Sequence, residues 1–308
     1  MFASADTENK STPSDEIHVF SLDADGCIFS QNYINKYIAA TKKTELKKDD
    51  TLCLETNDLL FKEMASHSKK NAILMVGSNR QSHSMDEFNG KESFFLVLQK
   101  IEAHLRSAYQ MDVTIDPYLL SDSFSSVAEG ATFKGDKSTS FPVDESKLLM
   151  LYAQTHHIAT KHPGKKIQFH FYDDREDILR PLKSFFEKFP ELLPPHVTLH
   201  LHKYNGTAEP QKIVSISASE KSALDENYVA NLKKLFPNYR DPKWLFGLFK
   251  GTHNQNTNIL SYRQMDKMIE KFKEDRLKTA AIALQAKQNK TSQTPFTFKT
   301  PALGTRKH

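Results

Sequence analysis

The sequence predicts an α/β protein built on a mostly parallel sheet. Three apolar runs of strand length, at 17–22, 71–76 and 165–172, alternate with stretches that repeat apolar residues at helical spacing. Two of these runs end abruptly in acidic residues. Adjacent parallel strands bring such ends to one edge of a sheet, so we expect both acidic clusters at the same place.

Composition indicates a soluble globular protein with polar ends. Of its 308 residues, 38% are hydrophobic and 26% are charged, and the net charge of +4 is too mild to indicate nucleic-acid binding. The only cysteines, Cys27 and Cys53, provide neither a disulfide framework nor a zinc-type pair, which fits a reducing compartment. No apolar run approaches the ~20 residues that span a bilayer. Residues 1–15 read as a disordered tail without a signal-peptide core. We therefore expect a cytoplasmic protein, or one exported by a route that leaves no such signature.

The first strand leads into the most informative motif. Asp23 and Asp25 directly follow the apolar run, and two carboxylates at the end of a buried strand are costly unless something neutralises them. Mg²⁺ would do so, because this hard cation binds carboxylate oxygens together with substrate phosphate. Gly26 then allows the backbone to turn sharply. An Asp-rich turn that closes an ordinary strand is the alternative.

A small helical insertion separates this motif from the second strand. Helices are predicted over 32–43 and 56–68, and the strand that follows them ends at Ser78. Arg80 follows two residues later. It is either a phosphate contact, because its planar guanidinium can grip two oxygens, or an ordinary surface residue.

The middle of the chain contains a helix, a third strand and a long loop. Residues 93–109 predict a helix with one apolar stripe. The third strand is either 113–115 or 118–120. Residues 121–143 are rich in Ser, Gly and Thr without clear periodicity, so we expect an irregular loop that can close over a site.

The next helix is predicted over 147–157. Two acids at 144–145 precede it, where their charge suits the start of a helix. Lys147 stands at its first position. His156 and His157, near its end, are expected at the surface because neither has metal-ligand partners at usable spacing.

The fourth strand is again followed by acids. Asp173 is the expected direct metal ligand, and Asp174 either binds the metal or orients a metal-bound water. Asp177 is either an acid that supports these ligands or a helix cap. The region closes with two further predicted elements, a helix over 178–189 and a strand over 197–202.

This order of motifs resembles that of the haloacid dehalogenase (HAD) superfamily. The Asp-x-Asp-Gly motif, the strand that ends in a hydroxyl, and the strand followed by paired acids are similar to its first, second and fourth motifs. Its third motif, a lysine at a helix N-terminus, is matched by Lys147, with Lys134 and Lys137 as competitors. The resemblance spans residues 16–205. It implies a Rossmann-like core with a five-stranded sheet, a small helical insertion and no large cap.

The resemblance also implies phosphatase chemistry. Asp23 would attack phosphorus to form an aspartyl-phosphate. Asp25 would protonate the leaving oxygen and then activate water, and this acid distinguishes the phosphatases of the family from its dehalogenases. Ser78 would position the phosphoryl oxygens, while Lys147 and Mg²⁺ neutralise charge. The implied Mg²⁺ ligands are Asp23, Asp173, Asp174 and the backbone carbonyl of Asp25.

The remainder of the chain is predicted to be a helical extension over 206–285 and a disordered basic tail over 286–308. The extension contains amphipathic patterns at 219–236 and 258–285. Between them, residues 242–250 form an aromatic cluster bracketed by lysines. This cluster either packs onto the core or binds a membrane surface, since aromatic residues and Lys suit the bilayer interface.

The motifs do not identify the substrate. An active site without a large cap domain is open enough for a phosphorylated protein side chain. The chain is also similar to the tyrosine phosphatases that intracellular bacteria such as Legionella deliver by type IV secretion. That likeness implies an effector acting in a host cytosol with membrane association. A metabolite phosphatase, and an inactive core that binds a membrane or a partner, are the alternatives.

Overall fold

The protein is built around a six-stranded sheet, and the first strand of the chain is one of its interior strands. The computed structural model describes residues 16–41, 50–88, 93–125, 127–139 and 146–235. The sheet order is β3-β2-β1-β4-β5-β6, with the first five strands parallel and β6 antiparallel to β5. The strands are β1 Glu16–Leu22, β2 Ala72–Val76, β3 Val113–Ile115, β4 Lys166–Asp173, β5 Val197–Lys203 and β6 Gln211–Ser217.

Helices connect the parallel strands. Within the described ranges they are α1 Gln31–Thr41, α2 Asp50–Thr56, α3 Asp58–His67, α4 His83–Phe88, α5 Phe94–Tyr109, α6 Leu120–Phe124, α7 Leu148–Lys161, α8 Glu176–Lys188 and α9 Tyr228–Leu235, with a short 3-10 helix at Pro190–Leu192. The predicted α/β class with a mostly parallel sheet is confirmed. None of the described helices is both long and apolar enough to cross a membrane.

The central position of β1 explains its sequence. It pairs with β2 on one side and β4 on the other, so neither of its edges is free. Six of its seven residues are buried, and β2 is buried throughout. A parallel strand covered on both faces needs such a nearly continuous apolar run.

The predicted number of five strands is wrong, because β6 adds a sixth. Residues 211–217 lie inside the region predicted to be a helical extension. Their alternation of polar residues with Ile and Val suits an edge strand with one face to solvent. Only Ile216 is buried in it. The helix predicted over 219–236 is correspondingly shorter, since α9 begins at Tyr228.

The loop predicted over 121–143 has local order. It begins in α6, and the Asp122 carboxylate accepts hydrogen bonds from the backbone of Gly130 and from both the backbone and hydroxyl of Thr132. Of the two alternatives for the third strand, the structure has 113–115. Residues 1–15, 144–145 and 236–308 lie outside the described residues, and with them the predicted tails, the acids before α7, the helix over 258–285 and the aromatic cluster at 242–250.

The prediction that His156 and His157 are surface residues is wrong, because both are buried in α7. One ring nitrogen of His156 lies 3.1 Å from the carbonyl of Leu192, and the other accepts from the Asp225 backbone at 3.0 Å. His157 stacks on Tyr118. Helical periodicity could not reveal this, since α7 is covered on nearly all sides.

Asp116, just after β3, ties this strand to α7. Its carboxylate oxygens lie 3.1 Å from Nε2 of His157 and 2.9 Å from Nζ of Lys161. Burial alone would raise the pKa of Asp116, but the hydrogen bonds and charges of His157 and Lys161 outweigh it and lower the pKa to about 2.

Replacing Asp116 by Asn should therefore lower the free energy of unfolding by about 2 kcal/mol at pH 7. Because the folded pKa is depressed, this contribution is complete above the unfolded value near 4. It is lost as the pH falls through about 2, so about half should remain at pH 3. Urea unfolding at both pH values measures the difference. Asp177→Asn is the matched control, since its side chain is 67% exposed and its loss should cost less than about 0.5 kcal/mol. Equal effects of the two variants at pH 7 would contradict this account.

Candidate functional site

The two acidic strand ends meet at one edge of the sheet. Leu22 at the end of β1 is in register with Tyr172 in β4, and the backbone N–H of Asp23 donates to the carbonyl of Tyr172 at 3.0 Å. Asp23 thus begins the loop after β1 next to Asp173, the last residue of β4. This is the juxtaposition that the sequence predicts.

A single buried lysine joins these two carboxylates. Nζ of Lys147 lies 2.7 Å from Oδ1 of Asp23 and 2.6 Å from Oδ2 of Asp173. All three side chains are at most 7% exposed, so one ammonium partly compensates two carboxylates away from water. Of the competing lysines, Lys134 is exposed, and Lys137 pairs with Glu87 on the surface. The structure therefore places Lys147, among the three candidates, at the site.

The backbone holds the Lys147 side chain in an unusual way. Lys147 is the residue before α7, and its φ of +56° lies in the left-handed region. A residue with a Cβ in this region costs of order 1 kcal/mol or more, and it persists only where the surroundings impose it. Here the backbone of Lys147 also accepts the first helical hydrogen bond, from the backbone N–H of Leu151 at 3.0 Å.

Burial and neighbouring charges both shift the pKa values of the ionisable groups at this site. Burial alone would lower the pKa of Lys147, but the carboxylates of Asp23 and Asp173 outweigh it and raise the pKa above its usual value. For Asp23 burial dominates, and it raises the pKa to about 7 against the attraction of the Lys147 ammonium. Burial, followed by the charge of Asp173, also raises the pKa of Asp174.

Asp174 completes a cluster of three acids that could hold a metal ion. One oxygen each of Asp23, Asp173 and Asp174 lies within 4.8 Å of the others. Oδ1 of Asp174 is buried and has no hydrogen-bond partner among the described residues, which is costly for a carboxylate. An all-oxygen donor set with an unpaired buried oxygen fits a hard divalent cation such as Mg²⁺, though not that ion alone.

Gly26 is required by the position of Asp174. Its φ is +85°, and a methyl group built on it would lie 2.6 Å from Cγ of Asp174. Any side chain there would displace the acid. The glycine of the first motif therefore makes room for the acid that follows β4, in addition to allowing the turn that the sequence predicts.

Ser78 also lies at this edge of the sheet, after β2. It is 3% exposed, and its backbone carbonyl accepts from the Gln81 side chain at 2.7 Å. Gly77 brings this chain end against β1, because a Cβ at that position would lie 2.7 Å from Oγ of Ser21. Asp177, in contrast, is in the first turn of α8 and pairs with Arg175 on the surface. It contacts the acids only indirectly, since the backbone N–H of Arg175 donates to Asp173 at 2.8 Å.

Arg80 is the main residue whose role sequence reasoning missed. Instead of lying at the surface it is 2% exposed, and its Nε and Nη2 donate to the two carboxylate oxygens of Asp25, both at 3.0 Å. Its Nη1 donates to Asp86 at 3.2 Å. Asp86 in turn accepts from the backbone N–H of Phe94 at the start of α5, at 2.8 Å. Asp25, whose side chain is 35% exposed, is thereby held at the mouth of the site.

An arginine soon after a strand end is the signal that could have found this pair. The sequence suggests Arg80 as a contact for phosphate, whereas its geometry is the bidentate pairing that guanidinium makes with carboxylate. The partner could not be identified in advance because Asp25 is 55 residues away along the chain.

Comparisons of the chain with protein-family models, with curated proteins and with solved structures gave no match. The geometry of these residues is therefore the basis for assigning a function.

Replacing Lys147 by Met tests the buried ion bridge. The side chain keeps its length but leaves Asp23 and Asp173 uncompensated, so the free energy of unfolding should fall by about 3–5 kcal/mol in EDTA. Urea unfolding at pH 7 measures the loss. Lys137→Met, at a lysine with a 70% exposed side chain, is the control and should change stability by less than about 0.5 kcal/mol. A Lys147→Met protein as stable as the wild type would show that the bridge does not hold the site together.

Proposed function

We propose that this protein is a Mg²⁺-dependent phosphatase of the HAD type that forms an aspartyl-phosphate intermediate. The observation that carries the proposal is the buried Lys147 ammonium shared by Asp23 and Asp173. A carboxylate beside a fixed cation, at a mouth that also holds Asp25, suits attack on a negatively charged phosphoryl group.

In the first step the Asp23 carboxylate attacks phosphorus, and the bond to the leaving oxygen breaks. Ser78, buried after β2, is the proposed contact for the phosphoryl oxygens. Asp25 gives its proton to the leaving oxygen. In the second step the Asp25 carboxylate takes a proton from water as the water attacks phosphorus, which releases phosphate and regenerates Asp23.

The phosphoryl group, Asp23 and Asp173 carry negative charges that need compensation in this mechanism. Mg²⁺ held by Asp23, Asp173, Asp174 and the Asp25 carbonyl would neutralise phosphoryl charge. Lys147 contributes a permanent positive charge at Asp23 and Asp173. This charge favours the ionised form of Asp23, whose pKa burial otherwise raises.

Arg80 acts in this proposal as a positioning residue. Its bidentate pair with Asp25 favours the carboxylate form, which is the form that accepts a proton from water in the second step. An incoming phosphoryl dianion competes with Asp25 for the same guanidinium. That competition weakens the pair and allows Asp25 to carry the proton needed in the first step.

For the substrate we propose a phosphorylated protein side chain, with phosphotyrosine favoured. The described residues between β1 and β2 contribute only three helices of 11, 7 and 10 residues, which is less than a large cap domain. Action as a secreted effector with a membrane-associating C-terminal region is part of the same proposal. It rests on the sequence resemblance, because that region lies outside the described residues.

The enzyme proposal is tested with a generic aryl phosphate. We expect phosphate release that requires Mg²⁺, is lost in EDTA, and falls roughly 10³-fold or more in Asp23→Asn. Asp177→Asn, an acid outside the cluster, should keep full activity. A folded wild-type protein without turnover would leave an inactive binding module as the better interpretation. Preference for sugar phosphates over phosphotyrosine peptides would favour a metabolite phosphatase.

Replacing Arg80 by Ala tests its positioning role. We expect kcat to fall by about tenfold or more, with a changed pH profile, because Asp25 loses both its orientation and its paired charge. Arg180→Ala is the matched control, since Arg180 pairs with Glu176 on the exposed surface of α8 and its loss should leave the profile unchanged. An Arg80→Ala enzyme with the wild-type pH profile would contradict this role even if kcat fell.

A further inference from the structure

A second group of metal-binding side chains lies between α3 and the sheet. It consists of His67, His170 and His202 together with Glu63, and we call it the histidine cluster. One ring nitrogen of each histidine lies within 4.8 Å of the others. Its donors are mainly nitrogens, unlike the carboxylates of the candidate active site.

Strand register and helix spacing assemble the cluster. Residues two apart in a strand share a face, so His200 and His202 of β5 point to the same side as their partners in β4, His170 and Tyr172. Glu63 and His67 are four residues apart in α3 and therefore also share a face. The helix thus presents its two ligand candidates to the two strands.

Several nitrogen and oxygen donors lie close together in the cluster. Nδ1 of His170 lies 3.1 Å from Nε2 of His202, and Nε2 of His67 lies 2.6 Å from Oε1 of Glu63. The same carboxylate oxygen is 3.7 Å from Nδ1 of His202, too far for a hydrogen bond. Ligand atoms around a tetrahedral ion with bonds of about 2.1 Å are roughly 3.4 Å apart. An imidazole gives an ion only one of its nitrogens, so binding through Nδ1 of His202 requires His170 to give up its contact with Nε2 of the same ring and turn a nitrogen to the ion.

One buried nitrogen in the cluster is unsatisfied. His202 is 1% exposed, and its Nδ1 has no hydrogen-bond partner among the residues that the structure describes. A buried polar atom without a partner is uncommon in a folded protein, because its desolvation is then uncompensated. Coordination of a metal ion by this nitrogen would compensate that cost.

We propose that His67, His170, His202 and Glu63 bind a divalent transition-metal ion of the Zn²⁺ type. Imidazole nitrogen with one carboxylate suits Zn²⁺, Co²⁺ or Ni²⁺ and disfavours Mg²⁺, which prefers oxygen ligands. The ion would enter beside His67 and Glu63, whose side chains are 27% and 20% exposed. It would replace the hydrogen bond between these two residues and connect α3 to β4 and β5.

Two side chains contact the proposed ligands from the side away from the ion and can orient them. The Tyr172 hydroxyl donates to Oε2 of Glu63 at 2.7 Å, which leaves Oε1 for an ion. Nδ1 of His18 lies 3.3 Å from Nε2 of His170. Partners of this kind orient the first ligands of a metal site. By comparison, the structure has no buried, unpaired side-chain atom at Asp116, Glu129 or His157, and the Lys161 ammonium binds both of those carboxylates.

Cobalt spectroscopy of the full chain without an affinity tag tests the proposal. Protein stripped with EDTA is titrated with Co²⁺ in excess Mg²⁺, which occupies the oxygen site. We expect one equivalent of Co²⁺ with the intense visible absorption of tetrahedral nitrogen coordination, which Zn²⁺ then displaces. No such absorption in folded protein would overturn the proposal.

Variants assign the signal to the cluster. His67→Gln and His202→Asn should weaken Co²⁺ binding by about 100-fold or more, beyond the effect of losing a supporting residue. His67 is partly exposed, so the His67→Gln variant should fold. It therefore decides the question if His202→Asn fails to fold. His104→Gln, a half-buried histidine on α5, is the matched control and should keep the absorption, as should Asp173→Asn. Unchanged binding in folded His67→Gln would contradict the assignment.

Discussion

The burial of three charges at the ends of β1 and β4 is the constraint on which the site depends. Asp23, Asp173 and Lys147 are almost completely removed from water, and removing Lys147 would leave two buried carboxylates without a counter-charge. The same requirement accounts for the left-handed backbone at Lys147, since the surroundings must impose that conformation to deliver the ammonium. Gly26 belongs to the same arrangement, because it makes room for Asp174.

A second chain of charges controls the mouth of the site. Arg80 connects Asp25 to Asp86, and Asp86 binds the N-terminal backbone of α5. The acid proposed for proton transfer is thus connected, through Arg80 and Asp86, to the start of the long helix α5. This arrangement separates two tasks. Lys147 holds Asp23, the proposed nucleophile, away from water, whereas Arg80 orients Asp25, which remains in contact with solvent.

Strand ends and their acids could be predicted from sequence because both depend on local patterns. Apolar runs identify β1, β2, β4 and β5, and parallel pairing then places Asp23 beside Asp173. Lys147 is favoured over Lys134 and Lys137 only through its place in the motif order. The role of Arg80 and the burial of His156 could not be predicted, because they depend on partners distant in the chain. β6 was not predicted because its alternation of polar and apolar residues is short. It also lies beyond the part of the chain that the motifs cover. The family and the activity remain proposals that these contacts support.

The separation of the three buried charges along the chain also affects the order of events during synthesis. Lys147 follows Asp23 by 124 residues and precedes Asp173 by 26. A nascent chain that carries only the Asp-x-Asp-Gly segment therefore lacks both the cation and the second carboxylate. The site is assembled only after β4 has docked beside β1, a non-local step that must overcome the entropy of closing a long loop. A ribosome-bound fragment that ends before β4 therefore cannot form the buried ion bridge, which appears only when the centre of the sheet is complete.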